Sequence, residues 1–153
     1  MTANGQEVKG TDDVVYLGMA QTEITLKNIA DVFKAEDGHL KPEDIRQATV
    51  TAVVDTEIMQ LIIPEELREK LSLAAKGEKV TIVDNGREVI CTKTEPVEIY
   101  WKNRSIVLSP LAAAGFEKVV LGSFPLQSMR LTVDPESQEV TGIHGDDDDL
   151  LVL

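Results

Sequence analysis

Asn85-Gly86 lies between two runs of strand-forming residues, 79–83 and 87–92. Asn followed by Gly is the dipeptide that a two-residue hairpin turn prefers, because both turn positions need positive φ angles. The segment therefore predicts a β-hairpin with its turn at 84–86. A second hairpin is predicted across 102–104. Tight turns reverse the chain, so the fold must be built largely from antiparallel strands.

The clearest single strand is predicted at 47–54, which is rich in β-branched residues and ends on an apolar triplet. Asp55-Thr56 follows it directly, and a second apolar run occupies 61–63. Pro64 then opens a predicted helix, because proline suits the first helical turn. The remaining predicted elements are strands at 23–29 (which 30–33 would extend), 118–121, 131–133 and 140–143, and a short helix at 123–129.

Many short strands, several tight turns and a single clear helix predict a mostly β chain. We expect a small closed β-barrel with one or two short helices. The 153 residues suffice for one domain with a core. Aromatic residues make up only 4% of the chain, so the core must be aliphatic.

The net charge of −12 argues against nucleic acid as a partner, because phosphate binding needs a basic surface. It argues equally against binding to an anionic membrane surface. No apolar run approaches the roughly 20 residues that span a bilayer. Residues 1–13 are polar and are expected to form a flexible leader. They carry no apolar core of a signal peptide, so the cytoplasm is the expected location by default.

Cys91 is the only cysteine, so no internal disulfide can form and a reducing compartment is expected. It lies in an apolar stretch and is predicted to be a small buried hydrophobe rather than a nucleophile. The expected domain spans 14–145, followed by an acidic and apolar tail at 146–153. His144, next to that tail, is predicted to be a solvated side chain rather than a metal ligand.

Four segments follow one another in a recognisable order along the chain. The first is 52–56, ending in Asp55-Thr56, and the second is 61–71. The third is the turn Asp84-Asn85-Gly86, and the fourth is Val120-Leu121-Gly122 with the helix and strand after it. In this order they resemble the active-site loop, the segment that follows it, the flap and the apolar-apolar-Gly motif of bacterial retropepsin-like (clan AA) aspartic proteases. The resemblance covers about 23–145.

The resemblance implies the retropepsin-like acid protease type of barrel and an endopeptidase that uses two carboxylates sharing one proton. One Asp-Thr loop supplies half of such a site, so a two-fold homodimer would place Asp55 beside Asp55 of a second copy. Thr56 would hydrogen-bond across the interface, and Asp84, Asn85 and Gly86 would close over an extended peptide or protein substrate. Neither a cofactor nor a metal ion is implied.

Glu57 departs from the family pattern, which has Gly at this position, and Ile58 stands where Ala is common. A side chain here restricts the backbone and its approach to substrate. Three interpretations stay open. Glu57 points away and the protein is a protease; the site is degenerate and the dimer is a binding or scaffold protein; or Asp55 and Glu57 of two chains bind a hard cation.

A further alternative is an unrelated β-barrel that carries Asp-Thr by chance. Asp134-Pro135 reads as a turn, with no catalytic role. The chain contains no phosphate-binding Gly loop, Cys-x-x-Cys pair or serine nucleophile elbow. The resemblance therefore implies an aspartic endopeptidase with Asp55 as its catalytic residue, with the degenerate scaffold as the alternative.

Overall fold

The computed structural model describes residues 19–143. The predicted leader at 1–13, the tail at 146–153 and His144 lie outside the described residues. The domain limits of 14–145 therefore stay a prediction.

The described chain is mostly β, as predicted, and its helices are short. Its elements are β1 (Gln21–Asn28), α1 (Ile29–Glu36), a 3-10 helix (Pro42–Asp44), β2 (Gln47–Val54), β3 (Leu61–Pro64), α2 (Glu65–Lys70), β4 (Ala75–Asp84), β5 (Arg87–Thr94), β6 (Val97–Trp101), β7 (Arg104–Leu108), β8 (Leu111–Ala113), β9 (Val119–Leu121), α3 (Ser123–Ser128), β10 (Leu131–Val133) and β11 (Val140–Gly142).

Nine strands form one sheet in the order β4-β5-β8-β3-β9-β2-β1-β6-β7, and β10 pairs with β11 in a separate ribbon. Most pairs are antiparallel, but β2 with β9 and β3 with β8 are parallel. The closure expected of a barrel is not confirmed. Within residues 19–143 the sheet order begins at β4 and ends at β7, and these two strands do not pair.

The centre of the sheet is buried on both faces. In β3, Leu61 and Ile63 pack into one apolar cluster, and Ile62 packs into a second. In β9, Val120 belongs to the second cluster and its neighbours to the first. Successive strand residues point to opposite faces, so a strand covered on both sides needs a continuous apolar run. This explains why 61–63 and 119–121 are apolar without alternation.

Residues 30–33 belong to α1 and do not extend β1, which corrects the sequence prediction. The side chain of Asn28 caps the helix, because its Oδ1 accepts a hydrogen bond of 3.1 Å from the backbone N–H of Asp31. The Asn28 Nδ2 group also donates to the carbonyl of Leu71 at 2.9 Å. A capping side chain at the end of a strand outweighs the weak strand pattern that follows it.

Both predicted hairpins form. Strands β4 and β5 pair from Lys79↔Thr92 to Asp84↔Arg87 around a turn in which Asn85 has φ 54° and Gly86 has φ 79°. These two positive angles are what the Asn-Gly dipeptide predicts. Strands β6 and β7 form the second hairpin. Strand β4 begins at Ala75, earlier than expected, with a register shift before Lys79.

Candidate active site

Asp55 lies at the end of β2, beside the end of β9. The two strands are parallel, with Val54 opposite Leu121, so both strands end at the same edge of the sheet. The backbone N–H of Asp55 donates to the carbonyl oxygen of Leu121 at 3.1 Å. The structure therefore brings the loop 55–60, called the Asp55 loop, to the Val120-Leu121-Gly122 motif.

Gly122 packs directly against the backbone of residues 58–60 in the Asp55 loop. Its N–H donates to the carbonyl of Gln60 at 3.0 Å, and the N–H of Ser123 donates to that of Ile58 at 2.8 Å. A Cβ at Gly122 would overlap both carbonyl oxygens and would lie 2.7 Å from the carbonyl carbon of Met59. Gly122 has φ −80°, so close approach and not backbone freedom requires the glycine.

The carboxylate of Asp55 is oriented by its own loop. Its Oδ1 accepts a hydrogen bond of 3.1 Å from the backbone N–H of Glu57. The carbonyl of Asp55 accepts from the N–H of Ile58 at 3.2 Å. This is a compact turn, with Asp55 half-buried and Thr56 exposed.

Glu57 fits this turn without adopting a glycine-like conformation. It is not among the residues with positive φ in the described chain. The left-handed region that favours glycine is therefore not needed here. The side chain of Glu57 is exposed, whereas Ile58 is 4% exposed and packs into the second apolar cluster.

A surface pocket of about 400 Å³ lies in front of Asp55. The Asp55 loop forms one side of it, and Asn85, at the tip of the β4–β5 hairpin, contributes to another. The lining residues are Met19, Ala20, Val54, Asp55, Thr56, Glu57, Asn85, Val133 and Gln138. The structure thus brings together Asp55, Thr56, Glu57 and Asn85 from the predicted site.

The negative charge of Asp55 affects the pKa of Asp84, which ends β4 in the β4–β5 hairpin. Asp84 is half-buried, and burial raises the pKa of its carboxyl above the ordinary value of 3.8. The negative charge of Asp55 raises that pKa further, while Arg87 lowers it. The hairpin predicted as the flap is therefore close to Asp55 in space.

Four residues of the pocket lining were not predicted from the sequence: Met19, Ala20, Val133 and Gln138. Val133 ends β10, and Gln138 lies in the connection between β10 and β11. Their residue types carry no chemical signal, so only the fold could identify them. Val120 and Leu121 are buried and support the site from behind.

Within residues 19–143, no group of three or more His, Cys, Asp or Glu side chains is placed to hold a metal ion. Cys91 is buried, and burial raises the pKa of its thiol, which disfavours the nucleophilic thiolate. No helix in the described range has the length and apolar composition to cross a bilayer.

No family model and no curated protein matches the chain. Among solved structures it is similar to EIAV protease complexed with the inhibitor HBY-793. The two are 19% identical, with a TM-score of 0.50, over 72% of this chain and 88% of that chain. At this identity the likeness establishes a shared retropepsin-like fold and nothing finer.

Proposed function

We propose that this chain is half of a retropepsin-like aspartic endopeptidase, whose catalytic dyad is Asp55 from each of two copies. The observation that carries the proposal is the pocket in front of Asp55, to which the tip of the β4–β5 hairpin contributes Asn85. The fold shared with EIAV protease supports the same interpretation.

The proposed chemistry follows from two carboxyls at close range. Two like charges there cannot both ionise cheaply, so the pair shares one proton. The ionised Asp55 takes a proton from water, which attacks the scissile carbonyl carbon, and the protonated Asp55 donates to the carbonyl oxygen. Collapse of the tetrahedral intermediate breaks the C–N bond as the leaving nitrogen gains a proton from the dyad, while one hydroxyl of the intermediate returns a proton to the dyad and becomes the carbonyl oxygen of the product acid. The Glu57 N–H would hold Oδ1 in place throughout.

A second copy is part of the proposal because the chain contains one Asp-Thr dipeptide. A two-fold axis near Asp55 would bring two such loops together. Thr56 is exposed in the single chain, as a hydroxyl that reaches across an interface must be. Asp84, Asn85 and Gly86 would then cover a bound peptide.

The degenerate scaffold is less well supported. It would be favoured by a pocket filled by Glu57 or Ile58. The pocket retains about 400 Å³, and Ile58 packs into the core instead. Glu57 lines the pocket without closing it.

Cleavage of a mixed peptide library from acid to neutral pH tests the proposal. The chain should cut, and Asp55→Asn should not. Asp44→Asn is the matched control, because Asp44 is an exposed residue of the 3-10 helix, outside the pocket lining. Cleavage by Glu57→Gly alone would indicate a silenced protease. Absence of cleavage by every folded variant would overturn the proposal.

A further inference from the structure

The pocket in front of Asp55 carries charge of one sign. Two carboxylates, Asp55 and Glu57, line it, and among the described residues no Lys, Arg or His contributes to the lining. The other walls include the apolar side chains of Met19, Ala20, Val54 and Val133. A ligand that fits this lining combines an apolar stem with a cationic end.

Glu57 is the carboxylate most available to such a ligand. Its side chain is exposed, and within residues 19–143 that side chain makes no ion pair or hydrogen bond. Its backbone N–H is fixed on Asp55 Oδ1 at 3.1 Å, which keeps the residue beside the proposed catalytic group.

The hairpin does not cancel this negative field. The carboxyl of Asp84 lies within electrostatic range of Asp55, because the charge of Asp55 adds to burial in raising the pKa of Asp84. Arg87 is the cation that opposes this effect. Lys and Arg side chains carry long apolar stems with a charged head, and so match both parts of the lining.

We infer that the site selects peptides with a Lys or Arg side chain next to the scissile bond, with Glu57 as the specificity-determining residue. This inference rests on the proposed function. The apolar walls would hold the methylene stem, and Glu57 would pair with the charged head.

Matched peptides that carry either Lys or Nε-acetyl-lysine at one position test the inference, because acetylation removes the charge and keeps the stem. We expect kcat/KM to favour the Lys peptide by about two- to fivefold, because Glu57 is exposed. Glu57→Gln should reduce this ratio towards unity, and Glu57→Lys should favour a Glu peptide instead. Glu43→Gln, an exposed change of equal charge outside the pocket, should leave the ratio unchanged.

Binding of the same peptides to Asp55→Asn, measured by fluorescence anisotropy, separates this inference from the proposed function. Cleavage of both peptides at equal rates, unaffected by Glu57→Gln, would overturn the inference and leave the protease proposal standing. Absence of cleavage, together with Glu57-dependent binding of the Lys peptide, would overturn the protease proposal and support the cation-selective pocket.

Discussion

The backbone N–H of Asp55 donates to the carbonyl oxygen of Leu121 at 3.1 Å, which joins the ends of two parallel strands. Leu121 precedes Gly122, on which residues 58–60 are packed. The position of the Asp55 loop therefore depends on the close approach at Gly122.

Gly122→Ala is expected to lower the free energy of unfolding by about 2–4 kcal/mol, because the added Cβ meets backbone atoms that cannot rotate away. Chemical denaturation measures the change. Gly38→Ala is the control: Gly38 has φ 79° and open space around it, so only conformational strain of about 1 kcal/mol is expected. Equal losses at the two positions would contradict the close-approach account.

Arg104 anchors the end of α3 from within the core. It is 2% exposed and donates to the carbonyls of Met129 at 2.9 Å and Arg130 at 2.6 Å. Arg104→Met leaves these carbonyls without the guanidinium, and we expect a loss of about 2–4 kcal/mol in the free energy of unfolding. The exposed change Lys41→Met should cost less than about 0.5 kcal/mol. A similarly small effect at Arg104 would show that the guanidinium is dispensable.

Asp31 is expected to make the free energy of unfolding depend on pH in the acid range. Hydrogen bonding to the Arg46 side chain lowers the pKa of Asp31 below its ordinary value of 3.8. A lowered folded-state pKa contributes stability that is fully present above the unfolded value and is lost as pH falls through the folded value. Asp31→Asn should therefore cost about 1–3 kcal/mol near neutral pH, and the difference from the unmodified chain should shrink below pH 3.8. A difference that stays constant between neutral and strongly acid pH would contradict this.

Asp84 reports how close the hairpin lies to Asp55. Carboxyl ¹³C NMR should give Asp84 a pKa above 3.8, and Asp55→Asn should lower it only in part, because burial is the larger cause. A raised folded-state pKa means that this contribution to stability is present below pH 3.8 and is lost as pH rises. Asp84→Asn should thus be more stable than the unmodified chain at neutral pH. An Asp84 pKa that is unchanged by Asp55→Asn would contradict the proximity of Asp84 and Asp55.

The local pattern of the sequence predicts much of the fold. Asn85-Gly86 predicts its hairpin because the turn angles are a property of those two residues. The strand before Asp55 is predicted from its β-branched residues and its apolar end. The strand before Gly122 is buried on both faces and must therefore be apolar.

The parts that were not predicted have two different causes. Residues 30–33 are helical because Asn28 caps α1, a local contact that the strand pattern at 23–29 obscured. The open sheet edges are set by pairing between strands that lie far apart in the described chain. Val133 and Gln138 reach the pocket only through the path of β10 and the connection after it. No periodicity in the sequence encodes these relationships.

The measurement that bears most directly on the shared Asp55 dyad is peptide cleavage by mixtures of the unmodified chain and Asp55→Asn at a fixed total concentration, after subunit exchange. If each active site needs Asp55 from two copies, an equal mixture should retain about a quarter of the activity of the unmodified chain. Retention of about half would mean that each chain acts alone, and would contradict the account.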